Sequence, residues 1–195
     1  MKYSKLILAS SSPRRIEKLK NQDIQPVIMP PDVDESLPVD ITMEQAVMYL
    51  ALKKALQVES KWESHPEYTK EPVVIIAADT VVYKNQIIGK PADYQDALHI
   101  LRTLRNTSHF VATGIALLSP GTTMRKVFYD ITEVFFTDYT DADIEAYIQS
   151  GEAWDKAGAY GIQGYWGKYV SRLHGSFDNV MGFPWDKIKT ELDKF

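Results

Sequence analysis

Short runs of consecutive apolar residues alternate along this chain with stretches whose apolar positions recur at helical spacing. Lys5–Ala9, "KLILA", predicts a short buried strand. Ser12 and Pro13 then read as the N-cap and first position of a helix with Ile16 and Leu19 inward. Gln25–Met29 is a candidate strand, and "PPDVDESLPVD" a loop carrying Asp32, Asp34, Glu35 and Asp40. Thr42 and Gln45 form a capping box. The helix behind it is expected to run to about Glu59, with Met43, Ala46, Val47, Leu50, Lys54 and Leu56 in a near-helical rhythm. "ESKWESHPEYTKEP" reads as a polar surface loop.

Pro72–Tyr83, "PVVIIAADTVVY", is nearly continuous and β-branched, which predicts a central strand covered on both faces. "KNQ" makes a turn, and Ile87-Ile88 pairs back. Asp93 caps a helix to about Arg105. Ser108–Leu118 and Met124–Thr137 read as two long strands. Thr140 or Asp141 caps a helix that ends at Gly151, and Tyr169–Leu173 is a further strand. Trp185–Phe195 closes the chain as a helix. No repeat or linker interrupts the 195 residues, so the expectation is a single α/β domain, residues 1–195, with a mixed sheet.

Composition narrows the chemistry. Without cysteine, disulfides, thiolate metal sites and a cysteine nucleophile are excluded, and the four histidines show no ligand spacing. Any metal has to be hard and oxygen-bound. A net charge of −4 argues against a bulk nucleic-acid or acidic-membrane binder. The opening "MKYSKLILASSSPRR" is too short in its apolar run for a secretory signal, and no segment reaches membrane-spanning length, so a cytoplasmic protein is expected.

Four places break the pattern. Arg14 and Arg15 stand in a first helical turn, where each cation is unfavourable by about 0.3–1 kcal/mol. Either they are tolerated surface charges, or an anion sits among them and the serines of Ser10–Ser12. Asp79, followed by Thr80, lies inside an apolar strand and needs a lysine partner, a metal or a catalytic task. Lys90, in "GKP", is either a plain turn residue or a cation carried back beside that strand by the hairpin. The loop acids, with Glu35 the best candidate, are either merely solvated or ligands. Together these cations and carboxylates form a set suited to phosphate chemistry. No Walker, GxSxG or GxGxxG motif is present.

"LILASSSPRR", "AADTVV", "IIGKP", "SHFVATGIAL", "DKAGAYGIQG" and "NVMGFP" occur in order over Lys5 to Pro184. In this the chain resembles the Maf family of nucleoside triphosphate pyrophosphatases. The resemblance implies a two-lobed α/β fold similar to inosine-triphosphate pyrophosphatases. That fold has an elongated mixed sheet flanked by helices and a deep active-site cleft. It also implies hydrolysis of a nucleoside triphosphate to monophosphate and pyrophosphate, a divalent cation (Mg²⁺ or Mn²⁺) and a homodimer. Asp79 would be the proton acceptor, and Glu35 with Asp79 would hold the metal. Ser10, Ser12, Arg14, Arg15, Lys54 and Lys90 would contact phosphates. The "DKAGAYGIQG" block implies the dTTP/UTP branch, with Arg14, Thr80 and Gln163 as specificity residues. A nucleotide-binding regulator of cell division is the alternative. Two departures stand out: "LRNTSH" lacks the family's usual glycine, where Asn106 should tolerate a left-handed turn, and the last block reads "GSFDNVMGFP".

Overall fold

The computed structural model describes residues 3–195; the basic start at Met1 and Lys2 lies outside them. Seven strands form one mixed sheet in the order β2-β1-β3-β5-β6-β7, with β4 paired to β3. The strands are β1 Lys5–Ala9, β2 Val27–Ile28, β3 Val73–Lys84, β4 Gln86–Ile88, β5 Ser108–Leu118, β6 Arg125–Phe136 and β7 Val170–His174. β1 runs parallel to both β2 and β3, whereas β4 is antiparallel to β3 and β7 to β6. The helices are α1 Pro13–Lys20, α2 Met43–Trp62, α3 Tyr94–Leu104, α4 Asp141–Gln149, α5 Phe177–Val180 and α6 Trp185–Leu192.

The described chain divides into two compact units, one of the residues up to 79 with 113–130 and 182–195, the other of 80–112 and 131–181. In the first, strand alternation builds two cores. Val73, Ile75 and Ala77 of β3 pack with Ala51, Ala55, Val58 and Trp62 of α2. Val74, Ile76 and Ala78 pack instead with Leu19 of α1 and Trp185, Ile188 and Leu192 of α6. The second unit has a single core in which Leu98, Leu101 and Leu104 of α3 meet Ile144, Tyr147 and Ile148 of α4 and the ring of Trp166.

Helix ends follow local chemistry. Thr42 and Gln45 exchange both capping-box bonds. Asp93 caps α3 through the amide of Asp96. Thr140, rather than Asp141, caps α4, and Gly151 takes the left-handed turn behind it. Asn106 adopts φ +53, as a residue tolerant of that region should.

Four expectations need correction. α2 continues to Trp62 rather than Glu59, because Trp62 lies one turn past Val58 and buries its ring in the α2–β3 core. Leu56 is exposed, because the inward stripe is Val47, Ala51, Lys54, Val58 and Trp62. The strand expected at Gln25–Met29 shortens to Val27–Ile28, with Met29 adding one amide bond to Leu8. Ser12 occupies the N-cap position of α1, but its side chain makes no capping bond; its amide donates to Ser10 Oγ.

Candidate active site

The parity of β3 places the acid. Odd residues face α2, so Asp79 continues the row Val73, Ile75, Ala77 toward that helix. Lys54 lies in the inward stripe of α2, two turns beyond Val47. Its ammonium meets Asp79 Oδ1 at 2.5 Å and Glu35 Oε1 at 2.7 Å. The side chains of Lys54 and Asp79 are each 10% exposed, that of Glu35 53%. α2 comes this close because Gly114 of β5 has no side chain: a Cβ there would sit 2.2 Å from Val47 C and O.

The loop bearing Glu35 is pinned by the same helix. Gln57 pairs with Asp32 both ways, its Nε2 donating to the carbonyl and its Oε1 accepting from the amide at 2.7 Å. Lys53 Nζ donates to Asp34 O at 2.5 Å. The Asp34 carboxylate accepts from the amide and hydroxyl of Ser36, which lowers its pKa. That local turn occupies Asp34, while Glu35 reaches Lys54. Sequence reasoning missed Lys53 and Gln57 because their partners are loop backbone atoms.

Ser10 follows the carboxyl end of β1, whose register with β3 ends at Ala9↔Ala77, level with the approach to Asp79. In open parallel sheets, ligands gather at such ends. Arg15 answers half of the arginine puzzle. It shares a helix face with Leu19, one turn on, so its guanidinium points inward. It donates to Ala78 O at 2.8 Å, Gly182 O at 2.9 Å and Ser10 Oγ at 3.3 Å. Burial lowers its pKa to about 10, partly offset by the charge of Asp79, so it stays cationic at neutral pH. Arg14 is half-buried on the neighbouring position of the same turn.

The first unit therefore brings together Ser10, Arg15, Glu35, Lys54 and Asp79, with Ser12 and Arg14 on the adjoining helix start. Thr80, Lys90 and Gln163 belong to the second unit. Lys90 follows the Val82↔Ile88 pair of the β3–β4 hairpin by two residues. Gly89 O accepts from Gly158 N at 2.9 Å, which ties that loop to the segment leading to Gln163. Gln163 is exposed.

A buried lysine bridging two carboxylates, with a half-buried arginine at the carboxyl end of parallel strands, defines a class of site that handles oxyanions. Two carboxylates converging on one point also suit a hard divalent cation, which takes one or two such ligands together with phosphates and water. Among the described residues, no three His, Cys, Asp or Glu side chains gather into a fuller metal cage. No helix among them is long and apolar enough to cross a membrane.

The model of the Maf-like protein family matches residues 5–195, and the chain belongs to that family. A relative from Alkaliphilus metalliredigens, named dTTP/UTP pyrophosphatase, is 42% identical over 190 residues, covering 97% of this chain and 95% of its own. One of the same name from Acetivibrio thermocellus is 40% identical over 191 residues, 98% of this chain and 95% of its own. Among solved structures, the Staphylococcus aureus Ham1 protein aligns with 69% of this chain and 73% of its own, at 15% identity and a TM-score of 0.41.

Proposed function

We propose that this protein hydrolyses dTTP and UTP to the nucleoside monophosphate and pyrophosphate. The observation that carries the reading is the Lys54 ammonium held between Asp79 and Glu35 beside the half-buried Arg15. Full-length relatives named for this activity support it.

In the reaction, Asp79 takes a proton from the water that attacks the α-phosphorus. Lys54, Arg14, Arg15 and Lys90 offset negative charge on the triphosphate, and the hydroxyls of Ser10 and Ser12 donate to its oxygens. Glu35 and Asp79 would hold a divalent cation, which when bound supplies positive charge to the phosphates. Thr80 and Gln163, with Arg14, select the nucleotide. The amide of Gln163 can accept from N3–H and donate to O4 of a uracil or thymine edge. A base with the reversed edge would leave those groups unpaired. Assembly as a homodimer, which rests on the family resemblance alone, and a place in the cytoplasm belong to the same proposal.

The test is pyrophosphate release from dTTP and UTP by the Asp79→Asn protein. Loss of turnover by about a thousandfold or more in a folded protein is expected. Near wild-type release would sink the role of Asp79. Nucleoside diphosphate and inorganic phosphate as products would overturn the reaction itself.

A further inference from the structure

The segment from Ala157 to Gln163 is held from several sides within the second unit. Gly158 lies at φ +72, and a Cβ there would fall 2.7 Å from Val82 Cγ2. Ala159 takes φ +59, a left-handed conformation that L-residues other than asparagine and aspartate seldom hold without support. Gly161 N donates to Tyr147 Oη at 3.0 Å. The remaining tie runs to a residue the mechanism does not use. Tyr160 Oη and His109 Nε2 are 2.8 Å apart, and both side chains are buried.

His109 is 1% exposed. Its ring packs against Phe136 at 4.9 Å between centroids and edge-on to Tyr160 at 5.4 Å. Among the described residues its Nδ1 finds no hydrogen-bond partner, so the polar contact this imidazole makes with them goes to the segment. Burial lowers its pKa to about 3, with Lys84 adding to the effect, so the contact is made by a neutral ring at every working pH.

We propose that His109 is a positioning residue for base selection: through Tyr160 it fixes the segment from which Gln163 reads the nucleotide. The inference rests on the reading of Gln163 given above. An amide can turn over and offer either donor or acceptor. It separates the uracil or thymine edge from the reversed edge of cytosine only when it projects from a fixed place. Only Gly161 and Ile162 separate Tyr160 from Gln163, a span short enough for an anchor at one end to set the other. The same segment holds the loop of Lys90 through the Gly158–Gly89 bond, so a loosened anchor would also be felt there.

The experiment compares wild type, Tyr160→Phe, the pair His109→Phe/Tyr160→Phe, and Gln163→Ala. Readouts are thermal stability, the dTTP over dCTP ratio of kcat/KM, and amide hydrogen exchange at 157–164. Replacing both partners with apolar rings of similar shape should leave stability nearly unchanged. A purely structural pair would then also leave selectivity unchanged. The positioning role instead predicts a ratio lower by about tenfold or more in the paired variant, and faster exchange confined to 157–164. Tyr160→Phe, which removes one oxygen, should move both readouts the same way and keeps the test open if the paired variant folds poorly. Wild-type ratio and exchange in these variants, with the ratio lost in Gln163→Ala, would overturn the role of His109 alone. An unchanged ratio in Gln163→Ala would overturn the reading of Gln163, and this proposal with it.

Discussion

Removing the charge of Lys54 tests the centre of the site. Its ammonium lies 2.5 Å from Asp79, and each of these side chains is 10% exposed. Breaking a buried ion pair by deleting one partner typically costs about 3–5 kcal/mol, because the remaining charge is left without compensation. Here the remaining charge is not isolated, because the guanidinium of Arg15 still acts on Asp79. The second contact of Lys54, to the half-exposed Glu35, adds no more than about 1 kcal/mol. Lys54→Met keeps the aliphatic stem and should therefore cost about 2–3 kcal/mol. For a chain of this size that is roughly 4–12 °C in Tm. The assay is urea unfolding of wild type, Lys54→Met, Asp79→Asn and the double variant. If the pair is coupled as its geometry implies, Asp79→Asn should relieve about 2 kcal/mol of the damage done by Lys54→Met. Two losses that add to within about 0.5 kcal/mol would refute the reasoning, since independent sites behave that way.

Two more outcomes follow from the geometry. Gly114→Ala should destabilise the protein by at least about 1–3 kcal/mol and lower turnover, because a Cβ 2.2 Å from the backbone of Val47 forces away the helix that carries Lys54; thermal melts and pyrophosphate release check both. His109 in the folded state has its pKa lowered to about 3, whereas in the unfolded chain it is about 6.5. Between those values the unfolded chain binds a proton that the folded one does not, so this stabilisation is complete above pH 6.5 and is lost as pH falls toward 3. Urea titrations at pH 7 and pH 4 should show up to about 3 kcal/mol of acid loss from this group, and His109→Phe/Tyr160→Phe should lack that component.

Much of this architecture could be read from residue order. β3 was legible because an apolar run of that length has few other fates, and a carboxylate inside it had to find a partner. The inward stripe of α2 passed through Lys54, and a lysine in such a stripe calls for an acid. Arg14 and Arg15 could be separated by the same periodicity, since only Arg15 stands one turn before Leu19. What could not be read were bonds to backbone atoms distant in sequence. Arg15 reaches the carbonyls of Ala78 and Gly182, and Gln57 reaches Asp32. Carbonyls and amides carry no residue identity, so no pattern of side chains announces them. The Tyr160–His109 contact joins residues 51 apart and looks in the sequence like ordinary aromatic core. The early end expected for α2 followed from reading the polar residues around Trp62 as a loop, while the indole itself was sealed in the core.

The alternation of β3 also limits how this gene can change length. Asp79 meets Lys54 only because an even number of steps separates it from Val73. Inserting or deleting one codon between them would turn the acid to the face of α1 and α6 and reverse every core residue between the change and the acid. A two-codon change would keep the face and shift only the height. Surviving length variation upstream of the acid is therefore expected in pairs within the strand, or else in the loops on either side of it, where no such parity applies.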